Sequence, residues 1–411
     1  MLLDPTLGYY DEGLNLTEAA LYRQARAVFG SAETLPPACY RSKVFSALED
    51  NRIWARAWIA VGSDLEIPGA GDLLPFTIGY HGIHLQREAE GGIVGRFNKA
   101  QHGGCRSVPL QCQTGSRTRC SFTSCGYSRD REVVSSAELD EAGSVANQYL
   151  GLVPERLFPV RVDRRGSLLF ACLDPRTADL SDGLEPLDGA LSSARLIGKR
   201  WHASKANWKL IGPALHSYLS TLGASCGAEP LGSDAIADHW PASHLASVLP
   251  EGSCDAAGTI SLVWCLPNLL VLRTPRETLA ILLQPLSMTE TQLRVLLLGD
   301  ACPSGAGPAE AARPDARLEA WIATLQPALE IAEQDQVVLS AWGTPSCRQS
   351  ARDSAPQQRN VFAWLFQDYL TDRILEEDED YGDLRQRSPS SPKRDSQSGH
   401  DPGLDRGLSQ G

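Results

Sequence analysis

The chain has 411 residues, 42% of them hydrophobic and 21% charged, and a formal net charge of -12 at pH 7. That length supports two domains or one large one with a sizeable core. The acidic balance argues against nucleic acid as the main partner, because phosphate binding needs clustered Lys and Arg. No run of about 18 apolar residues occurs, so no membrane-spanning helix is expected. The opening "MLLDPTLGYYDEGLN" lacks the basic-then-apolar order of a secretory signal, and a cytoplasmic location is the expectation.

In chain order, residues 14–30, "LNLTEAALYRQARAVFG", read as an amphipathic helix closed by Gly30. "YRSKVFSALEDNRIWARAWIAVG" reads as a second helix running into a strand at Trp58–Val61. From Asp64 to about Asp163 the pattern turns to short alternating stretches, and "LLPFTIGYHG", "IHLQREAEGG" and "IVGRFN" read as successive strands of a small antiparallel domain. "RLFPVRVDRRGSLLFACLD" adds two strands joined by an Arg-Gly turn. "NWKLIGPALHSYLSTL" starts a helix near Pro213, where proline suits the first turn. "GTISLVWCLPNLLVLRTPRETLAILLQPLSMTETQLRVLLLGD" reads as three long antiparallel strands, apolar enough to pack under a helix. Residues 314–341 and 359–376 read as long helices. The remainder, an acidic run and a Ser/Pro/charged tail, is expected to be disordered because it cannot bury enough apolar area.

Of the eleven cysteines, Cys39, Cys172, Cys226, Cys254, Cys265, Cys302 and Cys347 are scattered and read as small buried hydrophobes. The others crowd one stretch, "GRFNKAQHGGCRSVPLQCQTGSRTRCSFTSCGY". His102-x2-Cys105 and Cys120-x4-Cys125 have spacings used by structural zinc sites, with Cys112 as a spare ligand. Four readings of this stretch stand side by side: a structural metal, reduced metal-free thiols, a disulfide and an iron–sulfur cluster with altered ligands.

A β-domain with two Cys/His loops, then "NWK" and a helix, resembles the α subunit of Rieske non-haem iron oxygenases. The resemblance covers roughly residues 40–376 and rests on "ARAWIAVGSDLEIPGAGD", "GRFNKAQHGG", "CSFTSCGY", "NWKL", "WCLPNLLVL" and "FAWLFQDYL" in that order. It implies an α+β architecture, a small antiparallel Rieske-like β domain followed by a helix-grip (START/Bet v 1-like) sheet-and-helix domain. The expected divisions are 1–45 N-terminal helical segment, 46–165 Rieske-like domain, 166–376 helix-grip domain and 377–411 tail.

The family's [2Fe–2S] cluster is held by Cys-x-His and Cys-x-x-His. Those positions fall here on Ala100, His102, Cys120 and Thr123, so only His102 and Cys120 match. The family's mononuclear Fe(II) needs two histidines and a carboxylate. Counting from Asn207 places Ser217 at the acid, Leu219 at the tyrosine, and Ser220 and Ser225 at the histidines, with Asp335 at the carboxylate position. His216, and His239 with His244 in "DHWPASH", are the residues that could rebuild such a site.

Three functions follow from the resemblance. The first is a non-catalytic subunit that fills a place in a trimeric ring beside an active α-subunit paralogue. The second is an oxygenase with altered metal ligands, and the third a module binding a hydrophobic small molecule in the helix-grip cavity.

Overall fold

A computed structural model describes residues 14–97, 158–180, 191, 195–224, 244–250, 259–274, 277–299, 314–341, 358 and 360–376. Short helices α1 (Ala38–Arg41) and α2 (Lys43–Glu49) lead through a π-helical turn, Asp50–Trp54, into β1 (Ile59–Ser63). Strands β2 (Leu73–Ile78), β3 (His81–Arg87), β4 (Ile93–Phe97), β5 (Pro159–Arg165) and β6 (Leu168–Cys172) complete the first sheet. Its order is β1-β6-β5-β4-β3-β2, with antiparallel neighbours.

The second sheet opens with β7 (Arg195–Ser204), and helix α3 (Trp208–Ala224) follows. Next come β8 (His244–Pro250), β9 (Thr259–Cys265), β10 (Leu269–Arg273), β11 (Glu277–Ser287) and β12 (Glu290–Gly299), then α4 (Pro314–Ala341) and α5 (Val361–Leu375). The order is β7-β12-β11-β10-β9-β8, again antiparallel. All these elements belong to one compact unit, Met1–Leu375. No described helix is long and apolar enough to cross a membrane.

The apolar runs of the second sheet follow from burial of both faces. Along β11, Leu279, Ile281 and Leu283 point into one core with Trp208, Ile211 and Leu215 of α3. Ala280 and Leu282 alternate onto the other face, against Ala60, Leu168 and Phe170 of the first sheet. A strand alternates its side chains between faces, so coverage of both faces demands unbroken hydrophobicity.

Polar side chains stitch the sheets together. Asn268, in the β9–β10 turn, is buried; its Oδ1 accepts from the Ala60 N–H at 3.0 Å, and its Nδ2 donates to the Ala60 carbonyl at 2.9 Å. Arg294 of β12, also buried, stacks 4.4 Å from the Trp201 ring and 5.3 Å from Phe76, and donates to the Val61 carbonyl at 3.0 Å.

Four expectations are corrected. Residues 14–30 form turns around a 3-10 segment, Ala19–Tyr22, and not an α-helix. Distant side chains take the carbonyls a helix would use: Gln367 donates to Ala25 and Trp364 to Ala27. α3 starts at Trp208, placing Pro213 inside the helix. The expected three strands from Gly258 are four, because Leu266–Asn268 turns the chain between β9 and β10. The first sheet runs past residue 165 to Cys172, because β6 pairs with both β1 and β5.

Replacing Asn268 by Ala strands both polar groups of Ala60 in the core. A buried group without a partner costs about 1–3 kcal/mol, so Asn268→Ala is expected to lower unfolding free energy by roughly 2–4 kcal/mol in denaturant titration.

Candidate functional site

The segment Asn207–Lys209 gathers the interactions that open α3. Asn207 Oδ1 accepts from the Lys209 N–H at 3.0 Å, as an N-cap residue does, and from Lys209 Nζ at 2.8 Å. Its Nδ2 donates to the Met288 carbonyl at 2.7 Å. Trp208 Nε1 and Lys209 Nζ both donate to Glu49 Oε1, at 3.0 and 2.7 Å. The Lys209 side chain is wholly buried, 5.5 Å from the Tyr40 ring and 5.3 Å from Phe45. An ammonium in that position needs a counter-ion, and Glu49 of α2 supplies it. Burial pushes the Glu49 carboxyl up, against the opposing pull of Lys209.

Glu49 was not read from the sequence. The signal was present: a lysine in the first turn of an apolar helix needs an acid. Spacing from Phe45 puts Glu49 on the inner face of α2.

α3 buries Trp208, Ile211, Leu215 and Leu219 in one row, with Gly212 and His216 beside it. His216 is fully buried, its ring centroid 4.2 Å from Phe362 and 6.0 Å from Trp264, and Trp264 lies 4.5 Å from Phe366. A Cβ on Gly212 would stand 2.4 Å from the Trp264 ring, so only glycine lets that ring lie against the helix. Among the described residues, neither nitrogen of His216 nor the Trp264 Nε1 has a hydrogen-bond partner. Burial holds the His216 imidazole at about 3, far below its ordinary value, so it is neutral.

The other positions singled out in the sequence are dispersed. Ser220 donates its hydroxyl back to the His216 carbonyl at 2.7 Å, a local bond typical of serine within a helix. Leu219 is core, and Ser217 is half-buried. Asp335 lies on the exposed side of α4, where partial burial still pushes its carboxyl up. Glu333 and Gln336, its neighbours on α4, bond to the segment that leads from β7 into α3. Glu333 Oε1 accepts from the Ser204 hydroxyl at 2.9 Å and the Lys205 N–H at 2.8 Å, and Gln336 Oε1 accepts from the Asn207 N–H at 3.0 Å. His244 opens β8 opposite Cys265. Ala100, His102, Cys105, Cys112, Cys120, Thr123, Cys125, Ser225 and His239 lie outside the described residues.

Among the described residues, no three His, Cys, Asp or Glu side chains stand together as a metal site. The described parts of α3 and α4 do not fit an iron held by two imidazoles and a carboxylate. The one histidine there is packed between aromatic rings, the serine is turned back on its helix, and the aspartate faces outward.

No protein-family model matches the chain. The glycine betaine monooxygenase oxygenase subunit of Chromohalobacter salexigens is 27% identical over 183 residues, 43% of this chain and 40% of that protein. The biphenyl 2,3-dioxygenase α subunit of Rhodococcus jostii is 27% identical over 148 residues, 36% of this chain and 31% of that protein. The chain thus covers less than half the length of these relatives. Among solved structures, naphthalene 1,2-dioxygenase with indole in its active site matches 91% of this chain and 97% of its own, with TM-score 0.56 and 14% identity. The apo quaternary ammonium Rieske monooxygenase CntA matches 84% and 96%, with TM-score 0.55 and 16% identity. These relatives and neighbours are Rieske oxygenase α subunits, and this chain shares their fold.

Removing one partner of the buried pair leaves a lone charge, at about 3–5 kcal/mol. Lys209→Met and Glu49→Gln are each expected to lose that much stability in denaturant titration, and the double variant to recover most of it.

His216 makes stability depend on acid. The unfolded imidazole titrates near 6.5 and the folded one near 3, so in between the unfolded state holds the extra proton. Its contribution is complete above 6.5 and falls, as pH drops towards 3, by about 1.4 kcal/mol per pH unit. His216→Phe removes two unpartnered nitrogens at similar volume. Between pH 6.5 and 5 its unfolding free energy is expected to gain steadily on the wild type.

Proposed function

We propose that this Rieske oxygenase α-subunit-like chain works by association with an active α-subunit paralogue and does not activate oxygen itself. The observation that carries this reading is the packing of α3 and α4. At the positions where the family pattern would place iron ligands, Ser220 bonds to its own helix and Asp335 faces outward. Among the described residues of α3 and α4 the histidine is His216, and it lies between Phe362 and Trp264. A solved relative of this fold is described in terms of inter-subunit electron transfer. A chain with the fold alone would occupy a ring position and shape its neighbour without transferring electrons.

In this reading the Rieske-like domain runs from about residue 46 through β6, and the helix-grip domain from there to 376. On the former cluster loops, His102, Cys105, Cys120 and Cys125, with Cys112 in reserve, hold a structural zinc. Zinc pins loops without redox chemistry, and such binding contributes directly to folding free energy. The experiment is affinity purification of the full chain from its native host, with mass spectrometry and elemental analysis of the eluate. The expected result is a co-purifying α-subunit paralogue, and about one zinc and no iron on the separated chain. Iron or acid-labile sulfide on the separated chain, or a chain that elutes with no α subunit, would overturn the reading.

A further inference from the structure

The fold holds a pocket of about 280 Å³ where α2, the β2–β3 turn, the start of α3 and the end of β11 meet. Neither His216 nor Trp264 lines it, so it is distinct from the aromatic cluster of α3. Three departures from regular backbone meet on its walls. Asp50–Trp54, which continues α2, is a π-helical turn, with the Ala55 N–H bonded to the Asp50 carbonyl at 2.9 Å. The β11–β12 register shifts between Pro285 and Ser287, around Leu286. Gly79, at φ +55, has no room for a Cβ, which would stand 1.5 Å from Asp50 Oδ1. Irregular backbone of the first two kinds concentrates beside functional sites, and this cavity has both.

The charged groups around the pocket are already engaged. Glu49 accepts from Trp208 and Lys209. Asp50 accepts from the Tyr80 N–H at 2.9 Å and stands 3.9 Å from His81 Nε2. Asp50, His81 and Lys43 each have further interactions of their own. An ion of either sign would therefore lose its water without gaining a free counter-ion. The rest of the wall is mostly apolar and aromatic. Trp54 and Trp208 lie edge to face, ring centroids 5.0 Å apart, and Leu286 and Met288 add apolar surface.

We propose that this pocket binds a small neutral molecule, a compact apolar body bearing no ionised group. At about 30 Å³ for a water's share of liquid volume, 280 Å³ holds a body of roughly nine non-hydrogen atoms. That body packs against Trp54, Trp208 and Met288, where dispersion and the loss of apolar surface from water both favour it. The proposal rests on neither a metal nor the associative role.

The test titrates the full chain at pH 7 with three probes of one shape, cyclohexanol, cyclohexylamine and cyclohexanecarboxylate, followed by tryptophan fluorescence. Cyclohexanol is expected to saturate with a Kd of about 1 mM, modest for its size. The cation and the anion are each expected to bind about tenfold more weakly or worse. Ser46→Phe sets a ring on the α2 side of the pocket and is expected to weaken cyclohexanol about tenfold. Met288→Ala removes apolar wall while keeping the carbonyl that Asn207 uses, and is expected to weaken it about threefold. If Ser46→Phe fails to fold, Met288→Ala alone decides. No saturation by cyclohexanol, or either ion binding as tightly, would overturn the proposal. So would cyclohexanol affinity unaltered in the folded variants, because the molecule would then sit elsewhere.

Discussion

The ion pair between Lys209 and Glu49 is the contact on which the arrangement of the two halves turns. It joins α2, which precedes the first sheet, to α3, which lies on the second, at 2.7 Å, with the ammonium wholly buried and the carboxylate nearly so. Breaking it leaves a buried charge without its counter-ion, so every neighbouring position is constrained to keep it whole. Trp208 adds a donor to the same oxygen, and Asn207 accepts from the same ammonium. The Asn-Trp-Lys triplet is a structural lock in this chain. Its partners are Glu49 and the Met288 carbonyl, so its energetics involve neither metal nor substrate.

Much of the fold was legible in the sequence because strands of the second sheet are buried on both faces. Leu279 to Leu283 and Val295 to Leu298 can have few other uses. The first sheet was legible from its short alternating stretches and glycine turns, such as Gly166 at φ 56. The N-terminal segment was not, because its fate is decided by Trp364 and Gln367, more than 300 residues away. Local propensity cannot foresee a carbonyl claimed from that distance.

The candidate site was only half legible. Ser217, Leu219 and Ser220, counted from Asn207, lie on α3, and Ser225 lies outside the described residues. Rotational phase was the missing information. One residue along α4 separates the exposed Asp335 from the buried Gln336 that bonds to Asn207, a turn of about 100 degrees on a helix. Glu49 escaped notice for a related reason, since a single acid in a helix reads as a solvated face unless its lysine is already known.

The two-sided burial of β11 and β12 also bears on how the chain can be divided. One face of these strands is covered by α3, the other by Ala60, Leu168 and Phe170 from the first sheet. A fragment cut after Cys172 would leave the second half with a bare aliphatic face and the first half with an uncovered strand pair, both prone to self-association. Neither half is therefore free to be shed or exchanged as an independent module. Whatever either half comes to do, it does so while serving as packing for the other.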